Sequence, residues 1–86
     1  MEKQIKVLLL TNNSILISQL IEVSSELGEP DCKLIEPYVI VQSTGELVPW
    51  CIDFTVQNTF MISSDKILTI VDPNTKLLEK YKSLIS

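Results

Sequence analysis

The sequence predicts a mainly β fold: a small five-stranded, strongly bent antiparallel barrel followed by a C-terminal α-helix. Two observations carry this expectation. Apolar residues recur at period two in short runs as far as Val71 and at helical period beyond Asp72-Pro73, the spacings of strand and helix respectively. The second of these runs is also apolar on both faces, which suits a closed barrel or a subunit interface better than a hairpin open to water. The 86 residues make a single domain, with the barrel over about 5–72 and the helix over about 73–85.

Taken in order, Ile5, Val7, Leu8, Leu9 and Leu10 form the first strand, and Asn12-Asn13 is a hairpin turn because asparagine tolerates positive φ. Ser14–Val23 is the second strand, with Leu16, Ser18 and Leu20 on one face and Ile15, Ile17, Gln19 and Ile21 on the other. Ser24–Asp31, containing Gly28 and Pro30, is a loop. Cys32–Val41 is the third strand, with Leu34, Tyr38 and Ile40 inward and Ile35 and Val39 as further candidates. Pro37 within it requires a bulge, a bend or an edge position. Ser43-Thr44-Gly45-Glu46 is a polar turn.

Leu47–Ser63 reads as one long curved fourth strand or as two short ones around a bend, with Trp50, Ile52, Phe54 and Val56 alternating along it and Gln57-Asn58 a possible bulge. Trp50 fits a core or interface aromatic better than a base-stacking platform. The stretch Met61–Asp72 then reads as strand, turn, strand, stop. Phe60, Met61 and Ile62 lead into the polar quartet Ser63-Ser64-Asp65-Lys66, and Ile67–Val71 resumes with β-branched residues. Asp72-Pro73 ends that strand and starts the helix, with Asp72 as the N-cap and proline in the first turn. Leu77, Leu78, Tyr81, Leu84 and Ile85 make one apolar stripe at helical spacing.

Composition narrows the functional classes. Hydrophobic residues make up 45% and charged residues 21%, too apolar for a disordered chain, while no apolar run reaches the ~20 residues that span a bilayer. With no signal peptide in the sequence, a cytoplasmic address is expected. Seven lysines and no arginine stand against eleven acids, for a net charge of −4, and that field opposes nucleic acid at long range. The chain contains no histidine, so the commonest general base and metal ligand are missing. Cys32 and Cys51 have no arginine or histidine to lower their pKa and read as reduced, small hydrophobes. Two glycines cannot build a phosphate-cradling loop. The expectation is no enzyme, no cofactor and no metal.

The pattern Ile62-Ser-Ser-x-x-Ile67-x-x-Ile70 resembles the second motif of the Sm-like family, which includes LSm and bacterial Hfq-type proteins. Its usual form is an isoleucine, a basic residue, a glycine and two spaced isoleucines. Leu10–Ser24 resembles the first half of the first motif, with Asn13 and Ser18 at the places of glycines and Ser24 at that of an aspartate. The likeness covers about residues 5–72 and implies an SH3-type barrel that assembles through edge strands. The family's usual helix precedes the barrel, whereas here the helix follows it. Its RNA contacts fall on an asparagine ending the loop of the first motif and on the basic-glycine pair of the second. Asp31, Ser63 and Ser64 occupy those places, Glu29 or a neighbour replaces the residue that stacks on a base, and Lys33 and Lys66 are the cations that could compensate.

The resemblance implies a homo-oligomeric ring, pentamer to heptamer, joined through Phe60, Ile62, Ile67, Leu68 and Ile70. The expected partners are single-stranded RNA, held by a degenerate site at Asp31, Lys33, Ser63, Ser64 and Lys66, and other proteins, with no membrane. The alternative is an oligomeric protein-interaction scaffold that binds no RNA.

Overall fold

The computed structural model describes residues 4–23, 26, 30–51 and 54–85. It contains β1 (Gln4–Leu10), β2 (Ile15–Glu22), β3 (Cys32–Ile40), β4 (Leu47–Pro49), β5 (Thr59–Ile62), β6 (Ile67–Val71) and α1 (Thr75–Ile85), with a 3-10 turn over Ser64–Lys66 between β5 and β6. The strands form one antiparallel sheet in the order β4-β3-β2-β1-β6. β5 pairs with Cys32–Ile35 and β4 with Tyr38–Ile40, so the two lie one after the other along the same edge of β3. The sheet is thus six-stranded rather than five-stranded, and its hydrogen-bonded path is open, with β6 at one end and β4 and β5 at the other.

Leu47–Ser63 takes the second of its two expected forms, two short strands around a bend. Pro49 ends β4, and Cys51 takes a left-handed φ of 61° with its carbonyl accepting from the amides of both Phe54 and Thr55, at 3.0 and 3.1 Å. That turn removes Phe54 and Val56 from any ladder, and both are exposed. Ile52 and Asp53 lie outside the described residues. The β1–β2 hairpin forms as expected: Asn13 has φ 69°, the Asn12 side chain accepts from the Ser14 amide at 3.1 Å, and Leu10 donates to the Ser14 carbonyl at 2.9 Å.

A bulge in β3 decides which side chains reach the core. Ile17 pairs with Tyr38 and Gln19 with Ile35, so the single residue Ser18 faces the two residues Glu36 and Pro37, and Glu36 takes φ 53°. One extra residue reverses the alternation. Leu34 and Val39 therefore both face the core, where Leu8, Leu10, Leu16, Leu20 and Cys32 gather with Trp50, Ile62 and Ile67. Tyr38, expected inward, turns instead to the helix, its ring edge-on to Tyr81 at 5.8 Å. Trp50 packs on the core and against Phe60 at 5.2 Å.

The helix begins later than Asp72-Pro73. Asn74 is its cap, its side-chain oxygen accepting from the Leu77 amide at 2.8 Å, while Asp72 pairs with Lys6. An N-cap oxygen satisfies one of the free amides of the first turn, and a residue in direct contact with Lys6 on β1 is not placed to do so. Tyr81 is fully buried and anchors the helix on its own sheet. Lys80 adds a hydrogen bond to the Gly45 carbonyl at 2.9 Å.

Candidate functional site

Asp31 closes the β2–β3 loop, its carbonyl accepting from the Val23 amide at 2.9 Å. Its carboxylate then reaches the 3-10 turn 33 positions later: Oδ1 accepts the Ser64 backbone amide and Oδ2 the Ser64 hydroxyl, each at 2.7 Å. Ser63 stands at the N-cap of that turn without a side-chain cap bond, so Asp31 supplies the cap from the loop before β3. A carboxylate is favoured there because the free amides of a helical turn point at it. The far end of the turn is held too, since the Thr11 amide donates to the Lys66 carbonyl at 3.0 Å.

Of the residues expected to meet nucleic acid, the fold brings Asp31 and Ser64 into contact and sets Ser63 beside them. Lys33 lies on β3 opposite Ile21 and Met61, half-buried, and Lys66 is exposed at the other end of the turn. Glu29 lies outside the described residues.

The chemistry of this clasp is structural. The Ser64 hydroxyl, and after it the Ser64 amide, hold the Asp31 carboxyl below its usual range, which makes it a weak proton acceptor. Burial pushes the neighbouring Cys32 thiol up, with the Asp31 and Glu22 carboxylates acting in the same direction, the opposite of what a nucleophilic thiolate needs. Among the described residues no three histidine, cysteine, aspartate or glutamate side chains converge as a metal site, and no helix is long and apolar enough to cross a membrane.

A pH dependence follows. Because the folded carboxyl of Asp31 titrates below its unfolded value of 3.8, the clasp's contribution is fully present above that value and is lost as pH falls through the folded one. Urea unfolding midpoints from about pH 6 down to about pH 3 should therefore fall more steeply for the native chain than for Asp31→Asn. Parallel slopes would show that the carboxylate is not held by Ser64.

The residues expected at an assembly edge divide by register. Phe60 and Ile62 sit opposite Leu34 and Cys32, and Ile62 and Ile67 pack on the core, so these three point largely into their own chain. Leu68 and Ile70 are 59% and 44% exposed, and Met61 and Val71, which the expectation omitted, are 49% and 47% exposed. Period two around Phe60 and Ile62 was the available signal for Met61. The outer edges of β5 and β6 pair with no other strand among the described residues.

Tyr81 has a role that the helical stripe did not show. Its hydroxyl accepts from the Gln19 amide at 3.2 Å and donates toward the Glu36 carbonyl at 2.8 Å, with the Ile35 carbonyl at 3.2 Å. It fills the gap that the β3 bulge opens in the ladder. Ser18, fully buried across from the bulge, lies with its hydroxyl 3.2 Å from the Ile35 carbonyl. Only a bulged register makes these groups neighbours, so no spacing in the sequence announces them.

Residues 3–86 match the profile of a family described as a family of unknown function (DUF6561). No curated protein matches the chain.

Proposed function

We propose that the chain, which belongs to the family DUF6561, is a non-enzymatic, Sm-like subunit that assembles with copies of itself through the edges of β5 and β6. The observation that carries this reading is the pair of open strand edges on either side of the Ser64–Lys66 turn, with Met61 near one and Leu68, Ile70 and Val71 along the other. Unpaired edges with apolar side chains are templates for another strand. Joining β5 of one copy to β6 of the next is a heterologous contact, which closes into a ring when the rotation per subunit allows.

The turn itself supports the strongly bent barrel that such a ring requires. Its first residue is bound to Asp31, at the start of β3, and its last to Thr11, at the end of β1. Those two points flank opposite ends of β2, whose eight residues span roughly 26 Å when extended. A three-residue turn covers only about 6 Å, so the sheet must curl to bring both ends to it.

RNA binding is the second reading, favoured by one observation: the loop ending at Asp31 and the Ser63-Ser64 turn, the two places of RNA contact in Sm-like proteins, meet here. The chemistry there is unfavourable, since a carboxylate and two serines stand where an amide, a base and a glycine would be. Scaffold assembly without RNA is accordingly the function put forward.

Light scattering coupled to gel filtration tests it. The expected result is a native mass several times that of one 9.7 kDa chain at micromolar concentration, with no retention of uridine-rich or adenine-rich single strands at physiological salt. A monomer would remove the assembly reading, and tight RNA retention would replace the scaffold by an RNA-binding ring. Ser63→Arg combined with Asp31→Asn should create measurable, salt-sensitive RNA binding if the loops have the Sm arrangement.

A further inference from the structure

Between the C-terminal end of α1 and the loop that joins β4 to β5 lies a cavity of about 460 Å³, within the ~300–1,000 Å³ typical of small-ligand sites. Its walls carry the rings of Tyr38, Trp50 and Phe60 and the side chains of Leu84 and Ile85, and the β3 bulge at Glu36 forms another side. The rings are fixed by their neighbours. Trp50 and Phe60 pack at 5.2 Å with their planes tilted by 58°, the Trp50 amide donates to the Pro37 carbonyl at 3.0 Å, and Tyr38 is braced by Tyr81. All three are only half-buried, so ring surface remains for a ligand.

Of the three described non-glycine residues with positive φ, Glu36 at 53° and Cys51 at 61° bracket this cavity in sequence, Cys51 following Trp50. Backbone held in the left-handed region costs free energy and tends to cluster at binding sites. At Glu36 the conformation is locked by the main chain, whose amide donates to the Asn58 carbonyl at 2.6 Å and whose carbonyl accepts from Tyr81.

Among the described residues Glu36 is the one charged residue on the wall, and no lysine among them pairs with it. A cavity with three aromatic rings, one unpaired carboxylate and no cation repels anions. Aromatic faces and a carboxylate both attract positive charge, and the net charge of −4 acts in the same sense. A bare ammonium loses too much hydration on entering such a site, whereas an alkylated one carries an apolar shell that suits the rings. We propose that this cavity binds an N-alkylated ammonium group, free or carried on a side chain, with Tyr38, Trp50 and Phe60 around the alkyl groups and Glu36 as counter-ion. The cavity uses neither β6 nor the Ser64–Lys66 turn, and from β5 it takes Phe60, which sits opposite Leu34 within its own chain, so Leu68→Lys on β6 separates its test from that of assembly.

Trp50 is the only tryptophan, and its fluorescence reports on this wall alone. Choline, a peptide containing trimethyl-lysine, and the uncharged tert-butyl analogue of choline are titrated into the native full-length protein. The expected result is a saturable change with a cationic ligand, and binding of the neutral analogue at least about tenfold weaker. Whichever of choline and the peptide binds more tightly identifies the source of the group. Glu36→Gln, which keeps length and backbone, should weaken the cation by about tenfold and leave the neutral analogue unchanged. Equal binding of the neutral analogue and choline would overturn the proposal, as would no response to either cation at millimolar concentration. A proline-rich peptide without a cation that outcompetes both would reassign the cavity to extended-chain recognition.

Discussion

Tyr81→Phe should destabilise the fold by about 2–4 kcal/mol, because it removes one oxygen and strands two main-chain groups. The Gln19 amide and the Glu36 carbonyl have lost their ladder partners to the β3 bulge, and the Tyr81 hydroxyl serves both. The side chain is fully buried, so water does not replace it without opening the helix. Tyr81→Ala adds a cavity under α1 and should cost at least about 3–5 kcal/mol, enough to unfold a domain of this size at room temperature. Urea unfolding followed by circular dichroism measures both. A Tyr81→Phe change below about 0.5 kcal/mol, the scale of an unremarkable surface substitution, would mean that the bulge finds other partners. Alkaline titration supplies a second readout. Burial pushes the Tyr81 hydroxyl up from 10.0 to about 12. A folded-state value above the unfolded one means that stability is fully present below the unfolded value and is lost as pH rises toward the folded value. Between about pH 10 and 12 the native chain should lose stability that Tyr81→Phe, already without the hydroxyl, does not lose further.

Leu68→Lys should release monomer from the proposed assembly. Leu68 is 59% exposed, so within one chain a lysine there keeps its charge in water and leaves the core intact. Across a strand-to-strand interface the same position would lose a leucine, worth about 1.5–3 kcal/mol when fully buried, and would bring an ammonium out of water as well. At a tenfold change in affinity per 1.4 kcal/mol, association should weaken by at least about 10- to 100-fold. Thr75→Lys on the exposed side of the helix is the charge-matched control and should leave the native mass unchanged. If Leu68→Lys elutes with the native protein's mass, β6 is not an interface edge, and assembly, where present, uses another surface.

The order of strands was legible because period two and period 3.6 are properties of the chain alone. Ile5–Leu10, the Asn12-Asn13 turn, the second strand and Ile67–Val71 all fall where the alternation puts them, within a residue or two at their ends. Pro37 likewise announced an irregularity, since a residue without an amide cannot complete a ladder. The pairing of Asp31 with the Ser63-Ser64 turn was not legible, because nothing local links residues 33 positions apart. Leu47–Ser63 was legible as two short strands around a bend, but not where the bend would fall. Alternation at Trp50, Phe54 and Val56 looks like a strand, but the turn at Cys51 takes the chain out of the ladder.

By itself the sequence determined what each short segment prefers: strand, hairpin, bulge or helix, and a composition without histidine, arginine or a phosphate loop. Local backbone sterics and side-chain spacing are sufficient causes for those. The tertiary structure alone decided the rest. It chose which of the two possible faces β3 presents on each side of Glu36-Pro37, sent Tyr38 to the helix and Val39 to the core, and placed the Tyr81 hydroxyl in the resulting gap. It also gave Asp31 the role of capping a turn in another part of the chain. Those choices depend on how many residues oppose one another across a ladder and on which unpaired main-chain groups can find a partner, and such quantities exist only once the strands are in register.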